Sequence, residues 1–459
     1  MNLIWYALWF AVAVGLLVTV HEFGHYLVAR RLGFKVLRFS VGFGSPLLTR
    51  IGKDPDRIEY VLAALPLGGY VKLLDEREGP VPPAELARSF TRRPPWQRIA
   101  VLLAGPAFNI GFAVLVLWGM LWVNGVSEVK PVVGTVTAGS IADRAGLRSG
   151  DEIRGLNGSA ITGQREVVFG LLDAMSARGV ASLTVRGSDG AVRTAVLNVP
   201  DAATRRRLTE PAELFRGLGW DFWAPPVPAV LGQVAPDGPA ARAGLKSGDL
   251  VTAIDGEAVH DSRDLVARIS ARAGASVTVT YRRGGVEYST PVQVLSEEVG
   301  GQRIGRIHVV VQSQGATYPP DMLLHTKLGP GAALARATGE AWSMTVLQAR
   351  LFWRMVEGRV SLKNLSGPLS IAQFAGESAE AGVSSFLGFL VLISLSLGFL
   401  NLLPIPILDG GQILFQLVEW LKGSPLSERA QAFGQQVGIA LLIVLMGVAL
   451  YNDIARQFG

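Results

Sequence analysis

Four long apolar runs dominate this sequence and leave few folds open to it. Leu3–Val20, Ile99–Val123, Ser384–Leu408 and Phe433–Tyr451 are each long enough, or nearly so, to cross a bilayer as a helix. In lipid a backbone must satisfy its own hydrogen bonds, so runs of this kind become helices. The first run lacks the basic flank and small-residue cleavage site of a removable signal, and it reads as a retained span. With 49% apolar and only 17% charged residues, the 459-residue chain is expected to be a multi-pass α-helical membrane protein with soluble parts. Its net charge of +6 is spread along the chain, without a basic stripe interleaved with aromatics, which argues against nucleic acid as a partner. The absence of cysteine excludes disulfides, thiolate metal sites and a cysteine nucleophile.

Orientation follows from the loops. Arg30 to Arg98 holds 13 Lys or Arg against 7 Asp or Glu, whereas no Lys or Arg precedes the first run. Positive charge stays inside, so this loop is expected in the cytosol, with both termini and the Asn124–Val383 segment outside.

That outer segment contains a duplication. "VVGTVTAGSIADRAGLRSGDEIRGLNGSAI" from Val132 aligns without a gap to "VLGQVAPDGPAARAGLKSGDLVTAIDGEAV" from Val230. Both copies pass from a short β-like start through an A-G-L-x-S-G-D turn to a strand and an Asn-Gly or Asp-Gly turn, where positive φ is expected. Two tandem domains explain this most economically, and a duplicated spacer is the competing account. The A-G-L-x-x-G-D signature resembles that of bacterial PDZ domains, over residues 130–221 and 222–312. Each copy ends in a similar piece, "RGLGWDF" at Arg216 and "RIHVVV" at Arg306. In circularly permuted PDZ domains such a strand lines a peptide groove that works by strand addition; a steric gate is the alternative. Beyond them, Leu334–Val360 has a helical apolar face but too many charges to span. It suits either an interfacial helix or one packed on the repeats.

The chemistry concentrates at the end of the first run, in "HEFGH". On a helix His21 and His25 share a face and can reach one zinc ion, with Glu22 beside them to take a proton from water. A polar helix end followed by anchoring Arg30 and Arg31 is the plain reading, and it leaves the order of the histidines and glutamate unexplained. A catalytic zinc needs a third protein ligand. Asp54, Asp56 and Glu59 sit among charges that suit a solvated loop. Asp409, in "NLLPIPILDGG", ends the third run on the same side as the histidines, where Pro404 and Pro406 break the helix.

Together HEFGH and N-x-x-P-x-P-x-L-D-G resemble the site-2 protease family of intramembrane zinc metalloproteases. "GPAFN" at Gly105, "SVGFGSP" at Ser40, "LPLGGYVKL" at Leu65 and "NLSGPLSIA" at Asn364 are similar to further elements of that family. The paired PDZ copies point to its sigma-E-regulating branch. The resemblance implies one zinc ion held by His21, His25 and Asp409, Glu22 as general base, and Asn401 as a substrate-positioning residue. Asn109 is either structural or functional. The resemblance also implies a membrane-associated β-hairpin on the cytosolic side and PDZ-like domains on the periplasmic side of a bacterial inner membrane. The expected units are 1–31, 32–98, 99–123, 130–221, 222–312, a linker 313–383, 384–410 and 433–451. Implied substrates are transmembrane proteins such as an anti-sigma factor after a first external cut, and signal-peptide remnants. The rival readings are a non-catalytic PDZ adaptor for exposed C-termini, which has no use for Glu22, and a transporter, whose ionisable residues would not cluster at one depth.

Overall fold

A computed structural model of the chain describes residues 3–210, 212–299, 302–312 and 317–458. Residues 313–316, the start of the expected linker, lie outside them. Helix α1 (Leu3–Arg31) has 29 residues, about 43 Å at the α-helical rise, which exceeds a hydrocarbon core of roughly 30 Å. Its last turn, with Arg30 and Arg31, therefore has length to emerge.

The chain then forms β1 (Val36–Ile51) and β2 (Glu59–Leu73), paired antiparallel with Val36 opposite Leu73, Val41 opposite Gly69 and Ile51 opposite Glu59. Both strands double back. Phe39 faces Val71 on one side and Tyr60 on the other, so the pair is a four-segment sheet with Gly69–Leu73 as an outer segment. Gly42 and Gly44, at φ 92° and 87°, permit the bend. The sheet extends beyond the two pieces "SVGFGSP" and "LPLGGYVKL" that signal the expected hairpin, the second of which supplies its outer part. Phe34, Val36 and Ile58 bury themselves against Tyr26 and Ala29 of α1. The Tyr26 and Tyr60 hydroxyls meet at 2.7 Å, which fixes the sheet to the helix. Helix α2 (Pro95–Asn124) follows, with proline in its first turn where no N–H is missed, and then β3 (Val126–Val129).

The two repeats have the same architecture. In the first, strands Ser159–Ala160, Glu152–Leu156, Val180–Arg186 and Val192–Asn198 lie in that order. The second has Glu257–Ala258, Leu250–Ile254, Ser276–Arg283 and Val286–Gln293. Helices α3 (Gln164–Ala177) and α4 (Ser262–Ser270) cover them. The closing pieces pair back on the first strands, Trp220–Phe222 on Val133–Val136 and Val309–Val311 on Leu231–Val234. Asn157 and Asp255 have φ of 49° and 52°, each followed by a positive-φ glycine. Their side-chain oxygens accept from Ser182 and Thr278 N–H, at 2.9 and 2.8 Å, which is why an Asx residue stands there. The aspartate of each G-D turn is buried. Asp249 accepts from Arg283 Nε at 2.7 Å and from Lys246 N–H at 2.8 Å, and Asp151 pairs with Arg193.

Strand β4 (Leu323–Thr326) pairs with β3 and brings the chain back to the end of α2. Helix α5 (Pro330–Val356) lies between α2 and the first repeat. One face, Ala333, Ala337 and Ala341, packs on Ala113, Leu117 and Leu121 of α2. The other carries ion pairs at 2.7 Å, from Arg336 to Glu128 on β3 and from Arg354 to Asp173 in the first repeat. Helix α6 (Pro368–Glu380) lies against α1. Helix α7 (Val383–Asn401) is shorter than the apolar run suggested. The chain turns through Leu402–Leu408, and Asp409 opens a new helix, α8 (Asp409–Lys422), rather than closing the third span. Helix α9 (Glu428–Phe458) exceeds its expected bounds at both ends. Asp453 on α9 accepts from the N–H groups of Gly367, Leu369 and Ser370 at 2.9 to 3.0 Å, capping α6 from outside. Helices α1, α2, α7 and α9 are each long and apolar enough to cross a membrane.

Candidate metal centre

Helical spacing places the two histidines of HEFGH on one face of α1, with their Nε2 atoms 3.1 Å apart. Asp409 Oδ2 lies 3.1 Å from His21 Nε2 and 3.5 Å from His25 Nε2, without a hydrogen-bond partner although buried. Ligands at about 2.0–2.1 Å around a tetrahedral zinc ion stand roughly 3.4 Å from one another. The three atoms are spaced for such an ion, and two imidazoles with a carboxylate are a donor set zinc accepts. The residues fit the metal.

The surrounding backbone explains how these side chains meet. A Cβ on Gly24 would lie 2.5 Å from the Ala104 carbonyl oxygen, so only glycine lets α1 and α2 approach this closely. A Cβ on Gly105 would lie 2.6 Å from Cε1 of His25 and 2.8 Å from Cε1 of His21. On the far side, Pro404 and Pro406 cannot continue α7. The resulting loop satisfies itself: Leu408 N–H donates to Ile405 O at 2.8 Å, and the Gln412 side chain to Pro406 O at 2.7 Å. Gly410 and Gly411 pack directly on the loop carbonyls of Leu402 and Ile405, which turns Asp409 inward.

His25 Nδ1 lies 2.8 Å from the Val101 carbonyl, which can only accept. The proton therefore sits on Nδ1 and Nε2 keeps its lone pair. His21 Nδ1 faces the Asn109 amide at 3.2 Å. Glu22 lies beside the histidines, with the backbone N–H of Val71 turned toward it across the same cavity. These groups open into a cavity of about 620 Å³ lined also by Tyr70, Lys72 and Asn401. A larger cavity of about 1060 Å³, in the second repeat between Gln233, Val234 and α4, shares no residue with it.

The structure thus gathers His21, Glu22, His25, Asn401 and Asp409, as expected from the sequence. It leaves out Asp56, paired with Arg88 at 2.6 Å, and Glu59, paired with Arg38 at 2.6 Å. Sequence reasoning missed the Val101 carbonyl and the Val71 amide, since backbone groups carry no residue signature. Gly105 and Asn109 were signalled by "GPAFN", without a role.

Residues 9–445 match peptidase family M50. The chain belongs to that family. The regulator of sigma-E protease RseP of Escherichia coli is 38% identical over 458 residues, covering 99% of this chain and 100% of that protein. A protein of Neisseria meningitidis, provisionally named a zinc metalloprotease, is 40% identical over 464 residues, 98% of this chain and 99% of its own. The PDZ domain of an SdrC-like protein from Listeria monocytogenes is similar to 20% of the chain, over 90% of that domain, at 24% identity and a TM-score of 0.16. This M50 chain is a zinc metalloprotease and an integral membrane protein.

Proposed function

We propose that this M50 protease holds its zinc with His21, His25 and Asp409 and cuts single-span membrane proteins within the bilayer. The convergence of these three atoms, two on the spanning helix α1 and one at the start of α8, just past the loop that follows the spanning helix α7, carries the reading. Zinc, when bound, supplies Lewis acidity that activates a water molecule and polarises the scissile carbonyl. Glu22 takes the proton of that water and returns it to the leaving amine. Asn401, on the cavity wall, orients the substrate backbone. A helix hides its peptide bonds, so the substrate unwinds first. The free side of the β2 outer segment receives it as an added strand, with the Val71 N–H pointing into the site.

The loop charges support a cytosolic sheet and periplasmic repeats in a bacterial inner membrane. By analogy with the Escherichia coli relative, whose name makes it a regulator of sigma-E, the substrates are an anti-sigma factor already cut outside and signal-peptide remnants, within the envelope stress response. The repeats then exclude substrates with a bulky outer domain. Purified wild type, Glu22→Gln and Asp409→Asn test the site. Glu22→Gln is expected to keep its zinc and lose about 10²–10⁴ in cleavage of a membrane-embedded test span. Asp409→Asn is expected to lose zinc by elemental analysis. Cleavage that survives Glu22→Gln would remove Glu22 from its role, and unchanged zinc in Asp409→Asn would move the third ligand elsewhere. A non-catalytic adaptor would be indifferent to both.

A further inference from the structure

We infer that Asn109 is a positioning residue that sets the tautomer of His21, its side-chain carbonyl accepting the proton on Nδ1 so that Nε2 faces the metal bare. The inference rests on His21 being a zinc ligand through Nε2. That atom is the one turned toward the site, 3.1 Å from both His25 Nε2 and Asp409 Oδ2. A neutral imidazole has one N–H and one lone pair, so a ring that ligates through Nε2 carries its proton on Nδ1. His25 meets that requirement through the main chain, because a carbonyl at 2.8 Å can only accept. His21 has no carbonyl there. Its Nδ1 meets the side-chain amide of Asn109 at 3.2 Å, with the end assigned as nitrogen nearest the ring.

An amide has one accepting and one donating end, of nearly equal size, told apart by their partners. With nitrogen toward Nδ1, donor would face donor as soon as Nε2 gave its lone pair to a metal. With oxygen toward Nδ1 the pair is complementary, and a half-turn of the amide moves no other atom. Asn109 is 0% exposed, and its side-chain oxygen has no hydrogen-bond partner among the described residues. A buried acceptor left so is costly, and the Nδ1 proton is the donor within reach. The position is fixed from the third side as well. Ser394 Oγ on α7 donates to the Asn109 backbone carbonyl at 2.8 Å, and Gly398 leaves room for the Asn109 Cβ. Thus α7, the helix that leads into the Asp409 loop, also holds the residue that orients His21. A plain interhelical hydrogen bond would explain the burial but would be indifferent to which end of the amide faces the ring.

The test is zinc affinity by chelator competition on detergent-purified protein, with the melting temperature of the metal-free form measured alongside. Asn109→Leu, of similar shape without an acceptor, is expected to bind zinc about 10- to 100-fold more weakly, with its metal-free melting temperature little changed. Asn109→Asp, which can only accept when ionised, is expected to stay within about threefold of wild type on the same grounds. Should the leucine variant fail to fold, Asn109→Ala is measured instead, with the same loss expected. Wild-type affinity in the leucine or alanine variant would overturn the proposal. So would an aspartate variant as weak as the leucine one, since the amide N–H would then be the group that matters. Zinc binding unaffected by His21→Ala would instead strike the ligand assignment on which the proposal stands.

Discussion

Gly105 offers the sharpest test of how the metal centre is packed. In a helix alanine is favoured over glycine by about 0.8–1 kcal/mol, so on propensity alone Gly105→Ala should stabilise α2. The site argues the reverse. An ordinary carbon contact begins near 3.4 Å, and the new Cβ would stand 2.6 Å from His25 Cε1 and 2.8 Å from His21 Cε1. The rings must retreat by about 0.8 and 0.6 Å, or α2 must back away and lose the close seat of Ala104 on Gly24. Overpacking of this kind costs about 1–3 kcal/mol, enough to cancel the propensity gain and leave a net loss of up to about 2 kcal/mol. The larger effect falls on the metal. Ring shifts approaching 1 Å, in a site needing tolerances near half an ångström, are expected to lower zinc affinity at least about 10-fold. Cleavage should fall by about 100-fold, the cost of a misplacement of that size. Zinc content, chelator competition and cleavage of an embedded test span, measured on one preparation, read all three. A Gly105→Ala protein with wild-type zinc affinity and activity would refute the packing argument, since no relaxation could then have been needed.

Val71→Pro removes the one edge N–H that faces Glu22, at an edge position where proline is tolerated. Cleavage is expected to drop about 10-fold or more with zinc unchanged, and undiminished cleavage would end the idea that substrate pairs with this edge. In the second repeat, burial pushes the Asp249 carboxyl up, but the Arg283 guanidinium and the Lys246 N–H outweigh it and hold the group below its ordinary value. A depressed folded pKa gives stability that is complete at neutral pH and lost only as pH falls below about 4. Hydrogen-exchange protection in residues 230–312 should therefore fall as pH drops below about 4 in wild type and much less in Arg283→Met; equal acid sensitivity would exclude the pair as its source. A chain lacking residues 130–312 is expected to cut a substrate with its outer domain intact, and continued refusal would acquit the repeats as the filter.

The spans, the duplication and four polar site residues were legible because each leaves a local trace: apolar length, turn chemistry, and side chains too costly for lipid without a reason. The end of the third span was not. Leu402, Leu403, Ile405, Ile407 and Leu408 are as apolar as the helix before them, and only the missing N–H groups of Pro404 and Pro406 mark the turn. The sheet was read short because its segments double back at glycines and pair across more than thirty residues of sequence, as Val36 does with Leu73. The arginines that neutralise the buried aspartates escaped notice for another reason. Arg193 and Arg283 come from different strands of otherwise equivalent repeats, so no alignment position joins them. Asn109 was visible as a residue and invisible as a role, since its meaning depends on which ring nitrogen it meets.

The positions of the proposed ligands along the chain also set a clock. His21 and His25 leave the ribosome near the beginning of synthesis and Asp409 near its end. At about 5–20 residues per second, the histidines wait roughly 20–80 s in the nascent chain before their carboxylate exists. Both repeats are made within that interval, before the metal centre gains its third proposed ligand. On the proposed roles of the repeats and the ligands, a protease made in this order gains its screen before its cutting centre.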